Sequence, residues 1–148
     1  MNRVRDLLFP KAPGPMLSSA LLLIARVTFG LLFLNHGLSK WIAFENIAMD
    51  FPDPLDIGST MSLVLVIFAE VICSIGVILG VLFRLSLIPM IVAMGVALFS
   101  IHANDTFAAK EPALIFFSIF CLMFIWGPGY FSFDTALRGM SLDKNNNR

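Results

Sequence analysis

The chain has 148 residues, enough for one domain, and its composition excludes an ordinary soluble protein. Hydrophobic residues make up 58% of the chain and charged residues 14%, whereas soluble domains carry about 45–50% apolar and about 25% charged residues. The formal net charge is zero, so no overall field attracts nucleic acid. Two cysteines are too few for a disulfide scaffold. These numbers, with a mean hydropathy of +0.88, indicate a membrane protein.

Four apolar stretches follow one another along the chain, over roughly 17–38, 60–83, 85–103 and 112–127. A transmembrane helix needs about 20 apolar residues, and three of the stretches reach that length. The fourth is short unless residues 106–110 extend its start. Apolar and polar residues do not alternate, which excludes transmembrane strands. We predict an all-α transmembrane four-helix bundle: a membrane domain over 17–134, an N-terminal segment over 1–16 and a polar tail over 135–148.

Basic residues are distributed unevenly between the two sides of the membrane. If both termini share a side, that side holds seven of them: Arg3, Arg5, Lys11, Arg84, Arg138, Lys144 and Arg148. The other side holds Lys40 and Lys110. The positive-inside rule therefore predicts a multi-pass protein of the bacterial cytoplasmic (inner) membrane with both termini in the cytoplasm. The first apolar run is too long for a signal peptide and contains Arg26, so we expect it to be retained.

Two charged residues lie near the middle of predicted helices. Arg26 precedes His36, near the outer end of the first helix, by ten residues, and Glu70 follows Thr60, at the start of the second, by ten residues. At a rise of about 1.5 Å per residue, both charges lie about 15 Å from the same end of the bundle. Because a lone charge at this depth is costly, we predict a buried ion pair between Arg26 and Glu70. The pair either locks two helices together or forms the base of a functional site.

A second group of polar side chains is predicted at the outer end of the bundle, where three helices begin or end. Its members are His36, Lys40, His102 and Glu111. We predict that they line one cavity, capped from the loops by Asp53 and Asp105, which binds a polar headgroup attached to an apolar tail. The competing interpretation is four separate side chains, each of which reaches the interface by itself.

The two histidines allow three interpretations: hydrogen-bonded interfacial side chains, groups that handle protons or contact a quinone, or ligands of a haem or metal. No further donor pattern favours haem, and no Cys-x-x-Cys spacing favours zinc. Cys73 and Cys121 fit small packed hydrophobic side chains. We therefore predict no metal site and no cofactor held by the chain itself, with a quinone as the candidate ligand.

The order and spacing of these motifs resemble the DoxX family of small four-helix membrane proteins over roughly residues 17–134. The first helix of the family carries an Arg, a Gly-containing apolar stretch and a His-Gly…Lys ending. Its second helix carries a Glu, glycines and a closing Arg, followed by a His, a Glu and a Gly-Pro-Gly…Ser-Phe-Asp signature. The matching residues here are Arg26, Gly30, His36, Gly37, Lys40, Glu70, Gly76, Gly80, Arg84, His102, Glu111, Gly127, Pro128, Gly129, Ser132, Phe133 and Asp134.

The resemblance implies two classes of function. Some family members are membrane subunits of quinone-linked oxidoreductases, including thiosulfate:quinone oxidoreductase and a terminal quinol oxidase complex, or belong to oxidative-stress complexes. Related eukaryotic proteins act as assembly chaperones for membrane receptors. The first hypothesis is therefore a redox-associated subunit, and the alternative is a non-catalytic assembly or scaffold protein. The sequence assigns no catalytic residue.

The first hypothesis requires partners, because nothing in the chain carries electrons unaided. Besides the lipid bilayer, a redox partner subunit and a homo-oligomer are both compatible with the sequence. The sequence does not indicate nucleic acid as a partner.

Overall fold

The computed structural model describes residues 14–137, and this part of the chain is helical without strands. Its elements are α1 (Pro15–Ile42), α2 (Phe44–Ile47), α3 (Ser59–Leu79), α4 (Phe83–Ile101) and α5 (Phe107–Trp126). Among the described residues, α1, α3, α4 and α5 are long and apolar enough to cross a membrane. The predicted all-α transmembrane fold is confirmed. The predicted segments 1–16 and 135–148 lie mostly outside the described residues.

The four long helices alternate in direction, so the bundle has two distinct ends. The loop end contains residues 43–58 and 102–106, and the turn end contains residues 80–82 and 127–134. Helix α1 packs along α3, and α4 packs along α5. Helices α3 and α4 meet mainly in the half of the bundle near the turn end. Two helix pairs therefore make up the bundle.

Apolar side chains cover the outside of the bundle, and charged side chains lie inside it. Ile42 and Ile125 are 85% and 75% exposed, whereas Arg26 and Glu70 are 1% and 2% exposed. Water would penalise this arrangement, but lipid favours apolar side chains on the surface and charges in the interior. The chain is an integral membrane protein by this distribution and by the length of its helices.

Apolar packing is densest in the half of the bundle near the turn end. There, large side chains from all four long helices form one buried cluster: Leu22, Phe33, Cys73, Val77, Phe83, Leu87, Met90, Phe116, Phe120 and Met123. A smaller cluster at the loop end joins α2 to α3 and contains Ala48, Leu63, Ile67 and Val71. Between the smaller cluster and the α4/α5 pair, the interior is less completely filled.

The turn end is closed by the segment that follows α5. Gly80 adopts a left-handed conformation (φ 70°), which ends α3 and turns the chain toward α4. The carboxylate of Asp134 accepts hydrogen bonds from the backbone N–H groups of Leu82 and Phe83, at 3.0 and 2.9 Å. These N–H groups at the start of α4 have no partner within the helix, so Asp134 caps it.

Candidate functional site

A cavity of about 670 Å³ lies between the α1/α3 pair and the α4/α5 pair at the loop end. This volume is within the range of about 300–1,000 Å³ that is typical of small-molecule sites. Phe33 and Phe116, whose ring centroids are 5.2 Å apart, close the cavity toward the turn end. Most lining residues are apolar, and the titratable ones are His36, Lys40, Glu70 and His102.

Lys40 and Glu70 form an ion pair on the wall of this cavity. The ammonium nitrogen of Lys40 lies 2.9 Å from Oε1 and 2.7 Å from Oε2 of Glu70, and donates to both oxygens. The side chain of Glu70 is 3% exposed and that of Lys40 is 27% exposed. Charge-assisted bonds of this length are stronger than bonds between neutral groups. The pair therefore places polar atoms in the cavity without a net charge.

Two local features of the helices bring Glu70 to Lys40. Gly37, one turn before Lys40, lets α3 approach so closely that a Cβ at position 37 would lie 2.7 Å from the Cβ of Glu70. Glu70 itself lies in a wide, π-helical turn over Phe68–Cys73. Such turns are rare and are frequently found at functional sites. The turn buries three successive residues, Ala69, Glu70 and Val71, so the carboxylate enters the interior.

His102 reaches the cavity from the end of α4. The last turn of this helix, Ala97–Ile101, is also π-helical, and the N–H of His102 donates to the carbonyl of Ala97 at 2.9 Å. Nδ1 of His102 lies 2.8 Å from Oδ2 of Asp105. If Nδ1 carries the proton and donates it to this carboxylate, Nε2 of the neutral ring remains as an acceptor. Asp105 therefore orients the ring of His102.

His36 lines the cavity from α1, beside the seam between α1 and α5. Its ring packs edge-on against Phe116 of α5, with the ring centroids 5.8 Å apart. The residue as a whole is exposed, unlike the buried Phe33 one turn earlier. His36 therefore contributes a solvent-accessible imidazole to the lining of the cavity.

The loop between α2 and α3 forms the cover of the cavity. Its lining residues are apolar: Phe51, Pro52, Pro54, Leu55 and Ile57. Asp53 fixes the loop, because its carboxylate accepts hydrogen bonds from the Ser62 hydroxyl (2.7 Å) and from the N–H groups of Gly58 (2.6 Å) and Ile57 (3.1 Å). These bonds, that of Ser62 first, hold the pKa of Asp53 below its usual range. The sequence interpretation expected Asp53 to cap the polar groups, whereas it holds the cover itself.

The structure brings three of the four predicted ligand-binding residues together. His36, Lys40 and His102 line the cavity. Glu111, an exposed residue in the second turn of α5, does not. Glu70, which was predicted to lie below the site, belongs to it. The sequence interpretation also missed the apolar cover formed by residues 51–57.

The predicted ion pair between Arg26 and Glu70 does not form, and this interpretation is corrected. The guanidinium of Arg26 donates instead to three backbone carbonyls at the turn end. These belong to Pro128 at 2.6 Å, Phe131 at 2.9 Å and Ile78 at 3.3 Å. The guanidinium also lies 5.6 Å from the ring centroid of Phe83. Arg26 therefore anchors the segment that follows α5 and takes no part in the cavity.

The error came from the assumed end of the first helix. The depth of Arg26 was measured from His36, but α1 continues to Ile42. In the structure Gly37 lies opposite Glu70, and a Cβ at Gly80 would lie 2.9 Å from Arg26 Nη1. Arg26 therefore faces residue 80 rather than residue 70. Gly37 gave a false end signal, whereas the absence of proline between His36 and Ile42 was the signal that α1 could continue past it.

Groups of three or more His, Cys, Asp or Glu side chains that could hold a metal ion were not found among residues 14–137. Cys73 is buried in the apolar cluster and Cys121 is partly buried, and both are free thiols. In the part of the chain described, the cavity therefore offers hydrogen-bonding and proton-binding groups rather than a metal-ligand set.

Comparison with known proteins places these features in a family. The model of the DoxX family matches residues 21–103, which include most of α1 and all of α3 and α4, and thus Lys40, Glu70 and His102. No curated protein and no solved structure matches the chain significantly.

Proposed function

Because the chain belongs to the DoxX family and has four helices able to span a membrane, we propose that it is a redox-associated, quinone-linked membrane subunit. The cavity at the loop end binds the polar headgroup of an amphipathic small molecule, and a quinone is the proposed ligand. The observation that supports this most strongly is the Lys40–Glu70 ion pair, which lines the same otherwise apolar cavity as His36 and His102.

The polar groups of the cavity suit a neutral headgroup with carbonyl oxygens. The ammonium of Lys40 has three N–H donors, and Glu70 engages it through two oxygens, so one donor remains for a ligand. The ring of His36 can donate a second hydrogen bond. Because Lys40 and Glu70 neutralise each other, a ligand without charge enters without leaving either ion unpaired.

The same residues can accept and release protons. A bound quinone would supply the two-electron, two-proton chemistry, which no side chain here provides. His102 is held by Asp105 with one ring nitrogen turned away from that bond, and an imidazole nitrogen can accept or donate a proton. In this proposal His102 exchanges protons with the headgroup, while Lys40 and Glu70 fix its position.

Electrons must come from another protein or from a redox group bound by one. We therefore propose that this chain is an anchor subunit with a redox partner, in the bacterial inner membrane. The excess of Lys and Arg near the turn end and the termini supports an orientation with both termini in the cytoplasm. The loop end then faces the periplasm.

Binding of decylubiquinone to the purified protein in lipid nanodiscs tests the proposal. Binding is measured as the decylubiquinone retained by the protein-containing nanodiscs in excess of that retained by empty nanodiscs of the same lipid. His36→Ala and His102→Ala are each expected to weaken binding by about tenfold, the effect of losing roughly one hydrogen bond. Glu111→Ala is the matched control, because this residue does not line the cavity, and it should bind like the unmodified chain.

Unchanged affinity in both histidine variants would show that the quinone does not bind in this cavity. If, in addition, the protein copurifies with a stoichiometric partner and with no quinone, the alternative of a non-catalytic assembly protein is the better account.

A further inference from the structure

We propose that the ligand reaches the cavity sideways from the lipid, through a gap between the halves of α3 and α4 near the loop end. Its single apolar tail stays in this gap, while its headgroup contacts Lys40 and Glu70. The inference rests on the proposed function and adds to it the route of access and a ligand class, that of single-tailed amphiphiles.

The gap follows from how the helices pair. Near the turn end, α3 packs directly on α4. Toward the loop end, the first part of α3, Ser59–Ile67, packs on α1 instead, while the last turn of α4 packs on α5. Near the loop end, α3 and α4 therefore contact different helices, α1 and α5, and a space remains between α3 and α4. The cavity occupies this space.

Three side chains mark the opening of this space to the outside. Leu65, Phe68 and Val92 line the cavity and are also 50%, 46% and 56% exposed. These residues, on the two helices that flank the space, therefore belong both to the lining of the cavity and to the outer surface of the bundle. All three are apolar, so the opening presents to the lipid the kind of surface that an acyl or isoprenoid chain can cross without loss of hydrogen bonds.

The depth of the opening agrees with access from the hydrocarbon region. Leu65 lies six residues from the start of α3 and Val92 nine residues from the end of α4. At about 1.5 Å per residue, these positions lie about 9 and 14 Å below the loop end. A hydrocarbon core about 30 Å thick includes that depth when the helices cross it.

The ion pair lies at the same level as the gap. Glu70 is two residues from Phe68 on α3, and Lys40 reaches it with its long side chain from near the end of α1. Side chains of a helix tilt toward its N-terminus, which for α1 is away from the loop end. A headgroup that comes through the gap therefore meets Lys40 and Glu70 without passing a charged side chain first.

The size of the space indicates what occupies it. The gap continues into a cavity of about 670 Å³, a volume within the range of small-molecule sites. The charged groups occupy one end of this space, and the gap side is apolar. A ligand with one polar end and one apolar chain fits this distribution.

Blocking the gap with a large side chain tests the route. Val92→Trp places an indole in the opening. Ile88→Trp, one turn earlier on α4, is the matched control, because Ile88 is 47% exposed and does not line the cavity. The association rate in nanodiscs is measured for decylubiquinone and for the tail-less 2,3-dimethoxy-5-methyl-1,4-benzoquinone. Val92→Trp is expected to slow decylubiquinone by about tenfold, and the tail-less quinone much less.

Equal decylubiquinone rates in the two Trp variants would overturn the route and leave the proposed function standing. Equal slowing of both quinones by Val92→Trp would also overturn it, because the change would then act on the headgroup site.

A chain that binds neither quinone would contradict the proposed function, and a second measurement then decides the route. A photoreactive diazirine fatty acid is expected to label the peptides that contain Leu65, Phe68 and Val92 more than other lipid-facing peptides. Even labelling of all lipid-facing helices would overturn the route.

Discussion

Gly37 of α1 lies against Glu70 of α3 so closely that a Cβ at position 37 would come within 2.7 Å of the Cβ of Glu70. The same Cβ would lie 2.7 Å from Cγ2 of Val71. This contact sets the relative height of the two helices, and it brings the ammonium of Lys40 to the carboxylate of Glu70. The polar wall of the cavity therefore depends on a residue that has no side chain.

Substitution of Gly37 is expected to separate the two helices. Gly37→Ala adds a methyl group where the nearest atoms belong to Glu70 and Val71, so the protein should lose about 1–3 kcal/mol of stability, as for overpacked interiors. Thermal unfolding in detergent measures this loss. Gly95→Ala is the control, because a Cβ at position 95 meets Phe117 at an ordinary distance of 3.4 Å. Equal melting temperatures for the two variants would contradict the prediction.

The ion pair can be removed in two ways that differ in their cost to stability. Glu70→Gln leaves the Lys40 ammonium without its counter-charge in a largely apolar cavity, and a loss of about 3 kcal/mol is expected. The double variant Lys40→Met, Glu70→Leu removes both charges and should recover most of this loss. It should nevertheless bind decylubiquinone more weakly than the original chain. Full binding by the double variant would show that the pair has only a structural role.

Arg26 is expected to stabilise the turn end. Arg26→Lys keeps the charge but cannot reach the carbonyls of Pro128, Phe131 and Ile78 with one planar group. Carbonyls left without a donor cost about 1–3 kcal/mol, which unfolding in detergent would measure. Arg84→Lys is the control: Arg84 is exposed, and its guanidinium lies 5.8 Å from the ring centroid of Phe124. A smaller effect at Arg26 than at Arg84 would argue against this role.

The cover of the cavity is expected to loosen in acid. The hydrogen bonds to Asp53 lower its pKa in the folded protein, so the carboxylate stabilises the fold above the usual Asp pKa of about 3.9. That contribution is lost as the pH falls through the lower, folded-state pKa. The melting temperature of the original chain should therefore exceed that of Asp53→Asn at pH 7, and the difference should shrink below about pH 4. Asp50→Asn, in the exposed part of the same loop, is the control. A difference independent of pH would contradict this prediction.

The transmembrane helices could be predicted because each depends on a local run of apolar residues. The first three were expected to begin at residues 17, 60 and 85, and they begin at Pro15, Ser59 and Phe83. The fourth begins at Phe107, in agreement with the extension of its short apolar run by residues 106–110, since a helix can include the polar residues before its apolar run. Position near a helix end likewise sufficed to group His36, Lys40 and His102. Position near a helix end could not exclude Glu111 from the site, because the packing of the neighbouring helices decides which side of a helix lines the cavity.

By itself, then, the sequence determined that four helices cross a membrane and that charged side chains need partners inside it, since both follow from the cost of placing polar groups in lipid. Only the tertiary structure decided which partners they find. Glu70 pairs with Lys40 and Arg26 binds the carbonyls of the segment after α5. The reason is the register of α1 against α3, which is set by contacts such as Gly37 against Glu70 rather than by counting residues from an assumed helix end.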